Sequence, residues 1–264
     1  MIEWNAVQYA AHSSLQQAMA EEQLSQLDLS GTEAVLDIGC GDGKITAAIA
    51  RRLSHGSVLG IDPSRDMIAF ASTRFGPSCE PNLRFECGDV RFLPYRHRFD
   101  LVVSFNALHW VPEQNAALRS ISTALKPNGK AFLRFVSKGK RKSLEEVIEE
   151  TCLSAKWTGY FQAHVPPFIH VTPEAFRTLA ASASLRILDL HVEDKIWNFQ
   201  NREAFTAFCR ATFMEWTQAL PDDRRDVFIN EVLDAYRIVA ADNAEEANTF
   251  KFYQMATTLA PIIE

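Results

Sequence analysis

Short apolar runs alternate with helix-like stretches along the first half of the chain. Five of these runs are continuously apolar, which is typical of strands covered on both faces of a parallel sheet. They comprise residues 33–39, 57–62, 83–89, 99–105 and 130–137. Between them, residues 43–56, 64–76 and 115–129 carry apolar positions at helical spacing, and the last stretch ends in Pro and Gly stop signals. The pattern predicts a series of strand-helix-strand units.

After residue 137 the alternation gives way to longer elements. Helical spacing is predicted for residues 143–157, 172–184 and 202–240, and long strands are predicted for residues 185–199 and 248–262. The second of these helices has Thr172 as a candidate N-cap and Pro173 at its first position. With no repeats or flexible linkers, the chain is expected to form one compact body with a helical cap.

The N-terminal stretch 8–20 has an unusual helical pattern. One face carries polar residues at the spacing where a surface helix normally places its buried apolar stripe. These residues are Tyr9, His12, Ser13 and Gln16. The opposite face carries Ala11, Leu15, Ala18 and Met19 and is predicted to pack on the core. The helix is therefore expected to have two buried faces, one of them polar.

Charge and cysteine content narrow the class of protein. Over 264 residues, 27 Lys and Arg against 33 Asp and Glu give a net charge of −6. This charge repels phosphate backbones and acidic membranes, so neither nucleic acid nor a membrane is expected as a partner. Five scattered cysteines without a C-x-x-C pair indicate a reducing compartment. We expect a cytoplasmic protein, because no apolar run approaches the ~18 residues of a membrane helix and the N-terminus lacks the order of a signal peptide.

The motif VLDIGCGDGK, residues 35–44, is the strongest local signal. A predicted strand runs into Gly39, Gly41 and Gly43 and then directly into a helix, so a ligand can lie against the backbone and its free N–H groups. The spacing G-x-G-x-G differs from the dinucleotide fingerprint G-x-G-x-x-G and does not demand a pyrophosphate. A strand-to-helix turn without a ligand is the alternative for this loop taken alone.

Acidic residues follow the next predicted strands. Asp62 ends the second strand, 25 residues after Asp37, where dinucleotide folds place an acid on the ribose hydroxyls. Asp89 ends the third strand, and residues 104–110 follow the fourth. Because ligands of open α/β sheets bind outside the carboxyl ends of the strands, these residues are expected to meet at one crevice. A helix N-cap or turn role is the alternative for either Asp62 or Asp89 alone.

Residues 31–137 resemble the Rossmann-like (class I) S-adenosylmethionine-dependent methyltransferases, with LDIGCGDG, GIDPSRDM, GDV and LKPNG in the same order. The resemblance implies an α/β fold with a seven-stranded, mostly parallel sheet, helices on both faces, an N-terminal lid helix and a helical cap around the last strands. The implied organisation is lid helices over residues 1–30, the cofactor-binding core over 31–137, and the remaining strands with a substrate cap over 138–264.

The family pattern also implies a set of residues around S-adenosylmethionine. The glycines would line its methionine and ribose parts, Asp62 would hold the ribose, Met67 would flank the adenine, and Asp89 would lie near the exocyclic amine. The complete candidate set is Asp37, Gly39, Gly41, Gly43, Asp62, Met67, Asp89, Val90 and Ser104. Plain helix packing is the alternative for Met67.

Two further segments, YAAHSSLQ and SFNALHWV, resemble the plant salicylate and jasmonate-type carboxyl methyltransferases and the insect juvenile hormone acid methyltransferases. In those relatives a glutamine amide and a tryptophan indole hold the substrate carboxylate. The resemblance carries these roles to Gln16 and Trp110, with Tyr9 and His12 as further substrate-binding candidates; His12 stands where the pattern has Asn. EWNAVQY and LHWVPEQ also resemble trans-aconitate methyltransferase.

The sequence therefore predicts methyl transfer from S-adenosylmethionine to the carboxylate of a small, apolar acid by a monomer or homodimer. A carboxylic acid with a pKa of ~4 to 5 is already ionised at neutral pH, so no base is needed. Candidate catalytic residues are Gln16, Trp110 and His109. The alternatives are a solvated Gln16, a core Trp110 and a structural His109.

Other functions remain open. Another O-, N- or C-methyltransferase would use His109 or His12 as a base. A nicotinamide-dependent oxidoreductase and a non-catalytic cofactor sensor are the alternatives from other classes. No His or Cys grouping has metal-ligand spacing, so no metal is expected.

The cap is rich in aromatic residues, most of which are predicted to be core. They are Trp157, Tyr160, Phe161, Phe168, Trp197, Phe205, Phe208, Phe213 and Trp216. A few of them are expected to line an apolar chamber over the cofactor crevice, where they would exclude water.

Overall fold

The computed structural model describes Met19, Glu22 and residues 24–263. The strands are β1 (Ala34–Ile38), β2 (Ser57–Asp62), β3 (Leu83–Cys87), β4 (Phe99–Phe105), β5 (Leu125–Val136), β6 (Leu185–Asn198) and β7 (Thr249–Pro261). The helices are α1 (Lys44–Arg51), α2 (Arg65–Phe75), α3 (Gln114–Ala124), α4 (Leu144–Cys152), α5 (Pro173–Ser182), α6 (Arg202–Thr212), α7 (Met214–Thr217) and α8 (Asp222–Ala240).

The strands form one seven-stranded sheet in the order β3-β2-β1-β4-β5-β7-β6. Strands β1 to β5 pair in parallel, and β7 runs antiparallel to both of its neighbours. The predicted fold, an α/β fold with a mostly parallel seven-stranded sheet, is confirmed. The strand order reverses between β1 and β4, and this switch point opens a crevice at the carboxyl ends of these two strands.

Local sequence signals explain where several helices begin. The hydroxyl of Thr172 accepts a hydrogen bond from the backbone N–H of Ala175, and Pro173 is the first residue of α5, as predicted. Helix α4 begins with a capping box in which Ser143 and Glu146 satisfy each other's backbone N–H groups. Such caps are set by neighbouring residues and need no tertiary contact.

The predicted helix over residues 115–129 is too long at its carboxyl end. Helix α3 ends at Ala124, and Leu125 already pairs with Phe99 of β4. The ladder then shifts register before Lys130 pairs with Leu101, which accommodates the Pro and Gly of the intervening segment. Tertiary pairing of Leu125 therefore ends the helix before the stop signals.

Buried side chains lie on both faces of the sheet and inside the cap. Neighbouring strand residues such as Val35 and Leu36 enter clusters on opposite faces, as the two-residue period of a strand requires. A third cluster joins α4, α6, α7 and α8 to the aromatic end of β7. Met19 is helical and packs against this third cluster, in agreement with the prediction for its helix face. Within the described part of the chain, every helix is too short or too polar to cross a bilayer.

Candidate functional site

Three glycines between β1 and α1 have left-handed backbone conformations, and different atoms lie near each of them. A Cβ on Gly39, at φ 72°, would lie 2.2 Å from Ala107 Cβ, so the turn and the segment after β4 are in direct contact. A Cβ on Gly43, at φ 80°, would lie 2.8 Å from side-chain atoms of Ala71 and Phe85. At Gly41, with φ 52°, nothing lies within 4 Å. Gly41 is therefore the glycine that faces open space.

The open space is a cavity of about 260 Å³ at the carboxyl ends of β1, β2 and β4, which we call the cofactor cavity. Of the residues singled out from the sequence, those that line it are Gly39, Gly41, Asp62, Met67, Asp89, Val90 and Trp110. Tertiary structure thus brings together residues from four separate segments at the switch point of the sheet.

Asp62 ties the glycine turn to the end of β2. Its Oδ2 accepts a hydrogen bond from the Gly41 N–H at 3.0 Å, and its Oδ1 accepts one from the Ser64 N–H at 2.9 Å. The turn role considered as an alternative is therefore real. Because each carboxylate oxygen has two lone pairs, Asp62 also retains acceptor capacity toward a ligand in the cavity.

Asp89 is held by an arginine. Strand β3 ends two residues before it, and Asp89 instead caps the 3₁₀ turn at residues 90–92. The Asp89 carboxylate accepts from the Arg91 N–H at 2.9 Å and pairs with the Arg91 guanidinium at 2.6 Å. Partial burial raises the pKa of Asp89, but the hydrogen bonds from Arg91 outweigh it and hold the pKa below its ordinary value. Asp89 is therefore an anion on the cavity wall.

Three predicted cofactor-binding residues do not line the cavity. The hydroxyl of Ser104 donates to the Ile38 carbonyl at 2.9 Å and joins β4 to β1. Gly43 is required by the packing of α2 and β3 described above. Asp37 is buried and accepts a hydrogen bond from the Thr46 hydroxyl at 2.7 Å. Burial, reinforced by the charge of Asp62, raises the pKa of Asp37 to about 7 despite that hydrogen bond. Direct contact of these three residues with the cofactor stays a prediction, and in the structure the side chains of Asp37 and Ser104 are buried in the protein interior.

A second cavity of about 120 Å³ adjoins the first and lies under the cap; we call it the aromatic chamber. Trp110 and Asn106 line both cavities. The other aromatic walls of the chamber are Phe208, Phe213, Trp216, Phe250 and Phe252. The rings of Trp110 and Trp216 meet edge to face at a centroid distance of 6.0 Å. Of the remaining predicted cap aromatics, Trp157, Phe161 and Phe205 are buried in the cap core, Phe168 and Trp197 pack half-buried against it, and Tyr160 is exposed.

His109 faces the aromatic chamber and not the cofactor cavity. It is buried, and its Nδ1 has no hydrogen-bond partner among the described residues. Burial, and then the nearby His170, hold the pKa of His109 well below its ordinary value. The imidazole is therefore neutral at physiological pH. The other predicted substrate-binding residues, Tyr9, His12 and Gln16, lie outside the described part of the chain.

The polar residues Asn106 and Glu145 line the chamber but were not singled out from the sequence. Asn106 has φ 56°, a conformation that asparagine adopts more readily than most residues, and its Oδ1 accepts from Gln254 Nε2 at 2.9 Å. Its position directly after β4 could have identified it. Glu145 lies in the first turn of α4, where acidic residues are common for reasons of helix dipole alone, so no sequence signal marked it.

Comparison with known proteins agrees with this architecture. Residues 35–129 match the model of a family described as a methyltransferase domain. The chain is 27% identical over 88% of its length to a putative methyltransferase 235L of Invertebrate iridescent virus 6, covering 85% of that protein. It is 36% identical over 48% of its length to a trans-aconitate 2-methyltransferase of Deinococcus radiodurans, spanning about half (46%) of that relative.

Solved structures share the fold across nearly the whole chain. The YcgJ protein from Bacillus subtilis superposes with a TM-score of 0.67 at 17% identity, covering 94% of this chain and 100% of that one. A phosphoethanolamine N-methyltransferase 2 from Haemonchus contortus, in complex with phosphomonomethylethanolamine and S-adenosylhomocysteine, superposes with a TM-score of 0.63 at 17% identity, covering 97% of this chain and 57% of that one.

The cofactor cavity fits S-adenosylmethionine in shape and chemistry. Gly41 leaves open space above the turn, Asp62 presents a carboxylate for hydroxyl groups, and Met67 with Val90 provides an apolar wall for a flat ring. Together with the methyltransferase-domain match over residues 35–129 and the methyltransferase relatives, this arrangement supports a class I S-adenosylmethionine-dependent methyltransferase.

Proposed function

We propose that this enzyme transfers a methyl group from S-adenosylmethionine to the carboxylate of a small, largely apolar organic acid. One observation carries the proposal. Trp110 lies where the cofactor cavity meets the aromatic chamber and lines both. A group held by Trp110 is therefore placed between the methyl donor and the apolar remainder of a substrate.

The residues proposed to hold the cofactor are those lining its cavity. When bound, S-adenosylmethionine supplies a methyl group on a positively charged sulfur. The backbone at Gly39 and Gly41 would lie against its amino-acid and ribose parts, and Asp62 would accept from the ribose hydroxyls. Met67 would pack on the adenine, whose amine would donate to Asp89. Asp37, Gly43 and Ser104 would support this arrangement from inside the protein.

On the acceptor side, the proposed task of the protein is orientation. The substrate carboxylate is ionised at neutral pH and needs no base to become a nucleophile. Neutral donors, the Trp110 indole and the Asn106 amide, would hold the carboxylate in place. They would lower its nucleophilicity less than a bidentate ion pair with an arginine would. Gln16, outside the described residues, is proposed as a third donor. Correct placement of two reactants can lower a barrier by about 7 to 11 kcal/mol.

The aromatic walls would contribute by excluding water. Burial of an apolar acid against such walls makes the free energy of binding more favourable by roughly 25 cal/mol per Å² of apolar surface removed from water. A dry chamber also strengthens the hydrogen bonds that hold the carboxylate. The similarity to a protein named trans-aconitate 2-methyltransferase, a name that specifies a carboxylic acid as acceptor, supports this choice of acceptor.

The test is incubation of the enzyme with labelled cofactor and a panel of carboxylic acids, with methyl esters detected by mass. In Trp110→Phe, which keeps an aromatic ring but removes the indole N–H, kcat/KM is expected to fall about 10- to 100-fold, as for loss of a hydrogen bond to a charged group. Trp197→Phe is the matched control, because Trp197 packs against the cap cluster and lines neither cavity. Absence of ester from every acid, or equal kcat/KM in the two variants, would contradict the proposal.

A second candidate is methylation of an amine or hydroxyl with His109 as the base. The neutral imidazole of His109 lines the chamber and can accept a proton. Because its pKa lies well below the ordinary 6.5, activity of this kind would persist at pH 6.5 and fall only in more acidic solution. Methylated amines or ethers from a mixed acceptor panel, together with loss of activity in His109→Gln, would favour this function over carboxyl methylation.

A further inference from the structure

The aromatic chamber contains an isolated carboxylate. Among the described residues that line the chamber, Glu145 is the one with a formal charge at neutral pH. It is 9% exposed, and its neighbours in the wall include Leu144, Phe208 and Phe252. An ionised carboxylate in apolar surroundings is unfavourable unless hydrogen bonds or an opposite charge compensate for its lost hydration.

Among the described residues, no group hydrogen-bonds Glu145 Oε2, although the first turn of α4 gives this carboxylate the favourable end of the helix dipole. This oxygen is buried, and its nearest cationic candidate in the same part of the chain, His170 Nε2, lies 3.9 Å away. Burial outweighs the attraction of Glu145 and Glu146 and lowers the pKa of His170, so its imidazole is neutral at physiological pH. Both ring nitrogens of His170 also lack hydrogen-bond partners in the same part of the chain.

The other glutamates on the same helix are satisfied. Glu146 accepts from the Ser143 N–H in the capping box, and Glu149 accepts from Trp216 Nε1 at 2.7 Å. Within the described part of the chain, the unpartnered Oε2 is therefore particular to Glu145 and not a general feature of the glutamates on α4. An unpaired buried acceptor in a native protein calls for a specific explanation, and at the wall of a candidate substrate chamber a ligand group that pairs with it when bound is such an explanation.

The cavities also define a direction for the substrate. Trp110 and Asn106 line both cavities, whereas Glu145 lines the chamber alone. A substrate whose carboxylate is held at Trp110 therefore has its remaining atoms directed toward the part of the chamber that contains Glu145.

We propose that Glu145 is a specificity residue that accepts a hydrogen bond from a hydroxyl or protonated amine carried by the substrate away from the methylated carboxylate. This inference rests on the proposed function, because it assumes an acid in the chamber. The substrate class is then a hydroxy acid or an amino acid with an apolar middle. Aromatic walls suit both, since they pack on the apolar chain and attract an ammonium group through their ring faces.

The experiment compares three acids of the same chain length: the unsubstituted acid, its ω-hydroxy form and its ω-amino form. The enzyme is expected to show a kcat/KM about 10- to 100-fold higher for at least one substituted acid than for the plain acid. In Glu145→Gln, preference for the hydroxy acid is retained and preference for the amino acid is lost, because the amide accepts a hydrogen bond but has no charge. In Glu145→Leu, the plain acid becomes the best of the three.

Glu150→Gln is the matched control, since Glu150 lies on the same helix, is exposed and pairs with Lys142. It should leave all three values of kcat/KM unchanged. Melting temperature and S-adenosylhomocysteine affinity are measured for each variant to establish folding, because Glu145 does not line the cofactor cavity.

The outcomes separate the two proposals. If the enzyme methylates no acid of the panel, these three included, the proposed function fails and the inference fails with it; if it methylates other acids of the panel but none of these three, only the assignment of Glu145 is overturned. If all three acids are methylated and the ratios of their kcat/KM values are the same in the parent, Glu145→Gln and Glu145→Leu, carboxyl methylation stands and the assignment of Glu145 is overturned. Preference for the hydroxy acid alone identifies a hydroxyl as the partner of Glu145, and preference for the amino acid alone identifies an ammonium group.

Discussion

Replacement of Asp37 by asparagine is expected to remove a pH-dependent loss of stability from this protein. Asp37 is buried beneath the glycine turn, where burial and the charge of Asp62 raise its pKa from 3.8 to about 7. Between these two pH values the folded protein keeps a proton that the unfolded chain has released. Stability contributed by the protonated form is therefore greatest below pH 3.8, declines as the pH rises, and is fully lost above about pH 7.

The magnitude follows from the pKa difference. A pKa about 3 units above the ordinary value corresponds to about 4 kcal/mol of unfolding free energy between the two limits, at about 1.4 kcal/mol for each unit. The asparagine side chain is close in shape to the protonated form of Asp37, retains an oxygen for the Thr46 hydroxyl and does not titrate. Its Nδ2 lacks an assured acceptor, which costs about 1 to 3 kcal/mol at every pH and leaves the pH dependence unaffected.

The assay is urea denaturation of the parent and Asp37→Asn between about pH 5 and about pH 8. The low pKa values of His109 and His170 make the stability of both proteins rise with pH up to the ordinary histidine pKa of 6.5, and this contribution cancels in the difference. The unfolding free energy of the variant relative to the parent should increase by roughly 2 to 3 kcal/mol across this range. Asp66→Asn, which removes an exposed carboxylate on α2, serves as the control. Parallel pH curves for parent and Asp37→Asn would refute the reasoning.

Two further predictions concern the glycine turn and the N-terminal segment. Gly41→Ala places a methyl group in open space of the cofactor cavity and forces alanine into a left-handed conformation, which costs about 1 to 2 kcal/mol of stability; at temperatures where the variant is folded, it should bind S-adenosylhomocysteine at least about tenfold more weakly by calorimetry, and Gly159→Ala, also in open space, is the control for an added methyl group. Glu22 accepts hydrogen bonds from Lys195 Nζ at 2.8 Å and Arg134 Nη2 at 3.1 Å, so Glu22→Gln should increase proteolysis of the N-terminal segment. These two donors outweigh the opposing effect of burial and lower the pKa of Glu22, so the parent should lose the same protection as the pH falls below 4.5.

Each of these two predictions would be contradicted by a specific result. Equal cofactor affinity in Gly41→Ala and the parent would show that the cofactor does not approach the turn. Equal proteolysis rates in Glu22→Gln and the parent, measured at neutral pH, would show that the ion pairs do not hold the N-terminal segment on the sheet.

Features with a local physical cause were predictable from the sequence. The first five strands follow from continuous apolarity, which is typical of burial on both faces, and six of the seven strands were predicted within about two residues of their observed bounds; β5 begins five residues earlier than predicted. The start of α5 follows from Thr172 and Pro173, which act within one turn of the helix. The glycine turn was predictable because left-handed conformations are accessible mainly to glycine.

Features that depend on contacts between distant segments required the tertiary structure. The end of α3 was misplaced because Leu125 pairs with a strand 26 positions earlier in the chain, at Phe99. Ser104 and Asp37 were expected at the cofactor because they lie beside its motifs, but the strands direct them inward. The pKa of Asp37 depends on its burial and on Asp62, and neither is visible in the motif itself.

Trp110 and Glu145, both in the aromatic chamber, show most clearly which features the sequence predicts and which depend on tertiary structure. The importance of Trp110 was suggested by a resemblance, but its place between the two cavities depends on how the cap closes over β4. Glu145 looks like an ordinary first-turn acid because helix propensity depends on near neighbours. Whether its Oε2 has a hydrogen-bond partner among the described residues depends on which side chains from other segments pack around it. Interactions between residues close in sequence can be predicted from the sequence. Desolvation of a buried side chain, and its pairing with a residue from another segment, arise only when distant segments pack together.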